Sequence, residues 1–296
     1  KNKLPFIHDA YSNLDYYKNY MNIRFFYIKT IKKRYKRIMG KELNLEKPQS
    51  FSEKLQWLKM NYKDDLLTQC CDKFAVREYV KNTIGENYLN ELYGVYDSFD
   101  EIDISALPDQ FALKVNHSSG KQLLCTDKKK VNWEKQRNNF SKWLKVNYYY
   151  YYGEWCYKNV KPKIICEKFL ENEIKDYKFY CFNGKPEFLY VSQGLTYEKT
   201  LKIDFYDLDW NKMPFYRSDY PQFDGIVEKP SKFEEMKEVC YKLAKPFPFV
   251  RVDLFEVDGK IYFSELTFYP VSGFCNFSPK GTDESLGAML TLPSVK

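Results

Sequence analysis

The stretch FVRVDLFEVDGKIYFSELT, residues 249–267, decides how the rest of the chain is read. Residues 249–256 alternate, Asp258-Gly259 is a strong two-residue turn signal, and 260–267 alternate again, the pattern of a β-hairpin. On the outgoing strand Arg251, Asp253 and Phe255 share one face. On the return strand Ile261, Phe263, Glu265 and Thr267 share another. Asp253 is therefore expected beside Glu265 or Thr267. Two carboxylates on one sheet face repel unless a cation sits between them, and hard oxygen ligands with room for phosphate are what Mg²⁺ needs. The plainer reading is a half-buried hairpin with exposed charges, so the rest of the chain has to decide.

The chain has 296 residues, enough for a large core and for two or three subdomains. Hydrophobic residues make up 44%, which excludes a disordered protein, and 27 Tyr and 23 Phe are a strong aromatic bias. The net charge of +7 favours anionic partners such as nucleotides, acidic sugars or lipid headgroups without choosing among them. No apolar run approaches the roughly 18 residues of a membrane span, and no signal-peptide pattern opens the chain. The chain starts at Lys1 without an initiator Met, as an excised module of a longer protein would. The eight Cys show no C-x-x-C spacing, and with two His a zinc site is not expected. Cys166 and Cys181 read as buried free thiols of a reducing cytoplasm.

Residues 10–41 look helical, and 22–41 carries Arg24, Lys29, Lys32, Lys33, Arg34, Lys36, Arg37 and Lys41 with no acid. That is either a solvated helix face or a surface for a polyanionic glycan or anionic lipid at the inner face of a membrane. Ser50-x-x-Glu53 can cap a helix at 53–60, and a further helix is expected over 67–82. From residue 110 strand-like runs appear at 111–116, 121–126, 163–169, 177–182, 186–192 and 202–207, with a polar helix at 130–147 and another at 231–245. Tyr148–Tyr152 is either a stacking platform for sugars or a packed turn. The order is α+β in two lobes: a helical region 1–95, a small subdomain 96–170 and a larger one 171–296.

Two further motifs carry chemistry. In 111–121 (FALKVNHSSGK) a strand ends in small hydrogen-bonding residues, His117, Ser118, Ser119 and Gly120, whose backbone N–H groups can approach phosphate closely, with Lys114 as a point charge. An ordinary hairpin turn is the simpler alternative. In 164–171 (IICEKFLE) an apolar strand ends abruptly in charge, and its Lys168 carbonyl and Leu170 N–H can face an adenine edge, with Phe169 packing nearby. A mere connecting strand would look the same. Asp176 could accept from ribose hydroxyls, and Lys178 could reach phosphate.

In this order and at these distances the motifs resemble the ATP-grasp superfamily, most closely its TupA-like branch of cell-surface polysaccharide and teichuronopeptide synthesis. The resemblance runs from about Pro48 to Pro293, over 48–58, 72–79, 108–120, 163–184 and 246–279. It implies an ATP-grasp fold of two α+β lobes clasping ATP, behind a helical basic N-terminal segment. Lys114 and Lys168 then flank the nucleotide, Glu167, Lys168, Phe169 and Leu170 form the adenine hinge, and Asp176 is the ribose acid. Loop 117–121, with Ser118, Ser119 and Gly120, is the lid over the phosphates. Asp253, Glu265 and Thr267 hold Mg²⁺, Arg251 neutralises the transferred phosphate, Lys178 assists, and His117 either takes the amine proton or makes a lid hydrogen bond. Thr267 stands where many members carry asparagine. The implied reaction is ATP-dependent amide formation between a uronic acid of a surface polysaccharide and an amino acid or small amine, with no nucleic acid partner. A glycosyltransferase using Asp207-Leu208-Asp209, a sugar kinase and a glycan-binding module without chemistry remain as alternatives.

Overall fold

In the computed structural model, which describes residues 5–170, 174–194 and 200–294 and side chains from residue 14, the 249–267 stretch is a hairpin. Its strands are β9 (Phe249–Val257) and β10 (Lys260–Thr267). Asp258 and Gly259 both have positive φ, 51° and 70°, which a type I′ turn requires and which aspartate and glycine adopt at low cost. With β5 (Asp176–Phe182), β6 (Lys185–Gln193) and β7 (Lys202–Asp207) they form a sheet in the order β10-β9-β5-β6-β7, with every neighbouring pair antiparallel.

The register holds the first surprise. A two-residue turn at 258–259 would set Asp253 opposite Ser264. Instead the pairing shifts between Phe263 and Glu265, and Glu265 lies opposite Asp253. One extra residue on β10 turns the following side chains to the other side of the sheet. Glu265 and Phe263 therefore do not simply alternate with the strand, as the sequence pattern suggests.

The small lobe is a sheet in the order β1-β4-β2-β3, built from β1 (Leu92–Tyr96), β2 (Phe111–Val115), β3 (Gln122–Cys125) and β4 (Ile164–Lys168). Its core joins Phe111, Leu113, Val115, Ile164 and Cys166 to Phe140 of helix α5 (Trp133–Leu144). β1 starts ahead of residue 96, where the sequence suggests this lobe begins. The helices before it do not form a lobe of their own: Phe51, Leu55, Leu67, Val76 and Val80 belong to the core of the large sheet.

α2 (Phe51–Asn61) starts with a full capping box, Ser50 accepting from the Glu53 N–H and Glu53 accepting from the Ser50 N–H at 3.1 Å. The single helix expected over 67–82 is two, α3 (Asp65–Cys71) and α4 (Val76–Ile84). Asp72 divides them, because its carboxylate accepts from the N–H groups of Phe74 and Ala75 and so competes with helical bonding. The one-turn helix α6 (Tyr149–Tyr152) follows α5, and α7 (Phe233–Ala244) covers the back of the large sheet through Phe233, Met236, Val239, Cys240 and Leu243. α8 (Thr282–Met289) packs on α2.

α1 (Pro5–Met39) is bent sharply at Phe26, whose φ and ψ are −133° and 39°. Arg34 hydrogen-bonds Asn19, and the Thr30 hydroxyl donates to the Asn22 carbonyl at 3.1 Å. Fifteen residues of straight helix would span about 22 Å, so the two halves must fold back on each other. The tyrosines of α6 pack inward on α1: Tyr20 and Tyr150 lie 4.3 Å apart, and Tyr16 and Tyr151 5.5 Å. No helix among the described residues is long and apolar enough to cross a membrane. All eight cysteines are free and buried.

Candidate active site

Pairing across four strands sets Glu265, Asp253, Lys178 and Tyr190 in one row, and pairing across three sets Thr267, Arg251 and Tyr180 in the next. The charges in these rows are in contact. Asp253 is fully buried; its Oδ1 accepts from Arg251 Nε at 2.7 Å, and its Oδ2 from Arg251 Nη2 at 2.6 Å and Lys178 Nζ at 2.7 Å. Arg251 Nη2 also reaches Thr267 Oγ1 at 3.0 Å and Glu265 Oε1 at 3.4 Å, and Thr267 donates to Glu265 at 3.2 Å. Lys178 lies 3.4 Å from Asp176 as well.

Electrostatics follow from these contacts. Burial opposes the Lys178 ammonium, but Asp176 and Asp253 outweigh it and raise its pKa. Burial would raise the Glu265 carboxyl, yet Lys73, Arg251 and Lys178 hold it down at about 2. Asp176 is shifted up by burial, with Asp253 and Glu265 adding their repulsion. Three acids thus face three cations, Lys178, Arg251 and Lys73, and the set is close to neutral.

Lys73 is a residue whose role the sequence does not announce. It sits between α3 and α4; its N–H donates to the Asn116 carbonyl at 3.1 Å, its Nζ donates to the Ser118 carbonyl at 2.9 Å and lies 3.6 Å from Glu265. It therefore ties loop 117–121 of the small lobe to the charged row of the large sheet. Arg77 does the same for the hinge strand, binding Glu167 Oε1 at 3.1 Å and the Asn90 carbonyl at 2.7 Å. Glu167 Oε2 accepts from Lys114 Nζ at 2.9 Å. A narrow cleft between the lobes is lined by Lys73, Arg77, Lys114, Glu167 and Leu170 on one side and by Phe255 and Phe263 of the hairpin on the other.

The remaining candidates are distributed unevenly. Lys168 and Phe169 line a separate shallow groove with Tyr93 and Lys129, and the Lys168 carbonyl accepts from Asn90 Nδ2 at 2.8 Å. Glu171, the last residue of the hinge motif, lies outside the described residues. Ser119 and Gly120 are exposed, whereas Ser118 is buried and its hydroxyl has no hydrogen-bond partner. His117 is 2% exposed, with Nε2 at 3.0 Å from the Val146 carbonyl and 3.2 Å from that of Trp143, and Nδ1 at 3.1 Å from Asn116 Oδ1. Burial lowers its pKa, against the pull of the two carbonyls. Asp207 accepts from the N–H groups of Asp209 and Asn211, so the Asp207-Leu208-Asp209 tripeptide is a turn at the end of β7.

The loop after β10 is also built with care. Val271, Ser272 and Gly273 all have positive φ, between 49° and 74°. Side chains from α2 hold this left-handed turn: Gln56 Nε2 donates to the carbonyls of Ser272 and Gly273 at 3.0 and 2.8 Å, and Lys59 Nζ to those of Ser272 and Tyr152 at 2.9 and 3.1 Å. Ser272 donates to the buried Glu154 carboxylate.

The model of a family described as TupA-like ATP-grasp matches residues 53–291. Among solved structures, the L-amino acid ligase from Bacillus licheniformis is 13% identical, over 75% of this chain and 49% of that one, with a TM-score of 0.44. The D-alanine–D-alanine ligase from Helicobacter pylori is 12% identical over 76% and 61%, with a TM-score of 0.42. That from Bacillus anthracis, solved in complex with ATP, is 15% identical over 69% and 55%, with a TM-score of 0.39. The chain thus spans about half to three-fifths of the length of these structures. No curated protein sequence matches it. The family match runs from within α2 to just past α8, through both lobes and the cleft between them, and the chain belongs to the TupA-like ATP-grasp family.

Proposed function

We propose that the protein is an ATP-dependent ligase that joins a carboxylate to an amine through an acyl phosphate. The observation that carries this reading is the charged row Glu265–Asp253–Lys178, buried at Asp253, flanked by Arg251 and Thr267 and tied through Lys73 to a small-residue loop on the opposite lobe. Such an arrangement suits phosphoryl transfer, where the protein's task is alignment and charge neutralisation. ATP would lie between the lobes. Glu167 and Leu170, in the cleft, would receive the adenine, Asp176 the ribose, and Lys114 and Lys178 the phosphates, whereas Lys168 and Phe169, in a separate groove, would have to turn toward the cleft to join them. Ser118, Ser119 and Gly120 would close over the phosphates, and the partnerless buried hydroxyl of Ser118 supports that assignment.

The row offers Mg²⁺ hard oxygen donors once the contacts of Arg251 and Lys178 to Asp253 open. Asp253 and Glu265 are hard oxygen donors on adjacent strands, Thr267 adds a hydroxyl, and the Glu265 side chain is one-third exposed. When bound there with nucleotide, Mg²⁺ supplies neutralisation of phosphate charge. A near-neutral row gives a bare cation little reason to bind, so the metal is expected to enter with the triphosphate. Arg251 would stabilise the acyl phosphate and the oxyanion formed as the amine attacks. The carboxylate oxygen takes the γ-phosphoryl group and ADP leaves; the amine then forms the C–N bond and phosphate leaves. His117, with both ring nitrogens engaged, would anchor the loop and leave the amine's proton to another base. The acid would be a uronic acid of a capsular or other surface polysaccharide, and the amine an amino acid or small amine, in keeping with the +7 charge and the TupA-like family.

ADP release measured across a panel of uronic acids and amines, with mass detection of the product, tests this reading. Hydroxylamine should trap the acyl phosphate as a hydroxamate; a stable phosphate ester instead would make the protein a sugar kinase. Asp253→Asn should reduce ATP turnover by about a hundredfold or more. It should also cost about 3 kcal/mol of stability, because it leaves Arg251 and Lys178 buried against a neutral amide. Unchanged ADP release by that variant would remove the metal assignment.

A further inference from the structure

The bend of α1 exposes an unusual surface. Phe25, Phe26 and Ile28 are 59%, 59% and 55% exposed at the elbow, and Leu14, Tyr17 and Met21 extend the apolar stripe along the first half of the helix at 66%, 66% and 53%. The opposite face is spent on the body of the protein: Ile23, Ile31 and Tyr35 are buried, and Tyr27 donates to the Gly153 carbonyl at 2.8 Å. The stripe is therefore not a misoriented core face, and large side chains left in water on one helix mark a contact surface.

The charge around it is one-sided. From Tyr16 to Lys41 there are nine Lys and Arg and no acid, more positive charge than the +7 of the whole chain. Lys18, Arg24, Lys29, Lys32, Lys33, Lys36 and Arg37 are exposed. Lys29, Lys33, Arg34 and Arg37 share a groove in the elbow with Phe26 and Asn22.

We propose that the α1 elbow docks the protein on an anionic lipid surface, with Phe25, Phe26 and Ile28 entering the headgroup–acyl boundary and the lysines and arginines around them meeting lipid phosphates. A second copy of the chain is a poor occupant, because two such elbows face to face would bring nine Lys and Arg against nine, with only Asp15 of each groove as a compensating acid. A soluble polyanion would use the charges and leave the aromatic tip in water. An anionic bilayer satisfies both, since apolar burial and headgroup attraction act in the same direction. The proposal does not depend on the ligase reading.

The experiment is co-sedimentation of the full chain with phosphatidylcholine vesicles, with and without phosphatidylglycerol. Binding is expected only with phosphatidylglycerol and should weaken with salt. A Phe25→Ser/Phe26→Ser double variant and a Lys29→Glu/Lys32→Glu/Lys33→Glu triple variant should each lose binding by about tenfold or more. Phe25→Trp, which keeps an aromatic tip and guards against misfolding of the other variants, should show a blue-shifted emission on adding anionic vesicles. Three outcomes overturn the proposal. One is no binding to anionic vesicles. Another is binding that depends on the lysines but not on Phe25 and Phe26, which would make the elbow a site for soluble polyanions. The third is a dimer in size-exclusion chromatography that the Phe25→Ser/Phe26→Ser variant dissolves, which would make the partner a second copy.

Discussion

Two buried lysines, Lys178 in the charged row and Lys59 under the loop after β10, are the same residue in opposite electrostatic states. Lys178 touches carboxylates, Asp253 at 2.7 Å and Asp176 at 3.4 Å, and its pKa is raised. Lys59 touches two backbone carbonyls and lies 5.0 Å from the Phe274 ring; burial, only partly countered by Glu154, pushes its pKa down to about 7. Burial alone does not set the charge of a lysine. A carboxylate in contact keeps it cationic, and neutral acceptors let desolvation win. The first arrangement is a charge reserve suited to phosphate. The second is a brace that holds a left-handed turn in place.

The largest test of this contrast is Lys178→Met. It leaves the buried Asp253 and the half-buried Asp176 with one cation fewer, so the urea midpoint should fall by the equivalent of about 3–5 kcal/mol and ATP turnover should be lost. A stable, active Lys178→Met variant would break the comparison. Lys59→Met is next. It removes the donor to the Ser272 and Tyr152 carbonyls and should cost about 1–3 kcal/mol. Its pH dependence is more telling. Because the folded pKa of Lys59 lies below its unfolded value, the unfolded chain binds more protons between about pH 7 and 10.5, and stability rises with pH across that window. Wild type should therefore gain on Lys59→Met between pH 6 and pH 9 in paired urea melts. A constant gap would mean that Lys59 is charged throughout.

Gly273→Ala probes the turn that Lys59 braces. Its φ is +74°, and an added Cβ would lie 2.6 Å from Gln56 Nε2, so a loss of about 1–2 kcal/mol by thermal melting is expected. Asp258→Asn should do least. Asparagine suits the positive φ of the hairpin turn equally well, so stability should stay within about 0.5 kcal/mol and turnover should be unchanged.

Much of the fold is legible because its signals are local. Alternation and turn chemistry find β2 to β7 and the 249–267 hairpin, and Ser50-x-x-Glu53 marks the start of α2. β1 escapes because LYGVY is half-buried at every position, with Gly94 in its middle, and the strand pair β8 (Tyr216–Arg217) and β11 (Phe277–Ser278) is too short to leave a period. The acids and Arg251 of the hairpin can be found from the strand pattern, but Lys73 and Arg77 cannot. Their role depends on the break at Asp72, and an aspartate in a helix-like run can be read either as a cap or as a solvated side chain. The purpose of Lys59 is hidden for a related reason: its acceptors lie 93 and 213 residues away. The bend at Phe26 is equally invisible, since no proline or glycine marks it.

The extra residue at Ser264 has a consequence for counting. Glu265 reaches Asp253 because β10 carries one residue more than a regular ladder would. A regular ladder that kept every residue would set Ser264 opposite Asp253 and turn Glu265 to the other face, whereas deleting Ser264 would straighten the strand and still leave Glu265 opposite Asp253. In this hairpin the bulge, as much as the letters, makes the pair: a relative without the residue at 264 could keep the two acids together in a regular ladder, whereas one that kept the residue and straightened the strand would carry the signature of the site without the site.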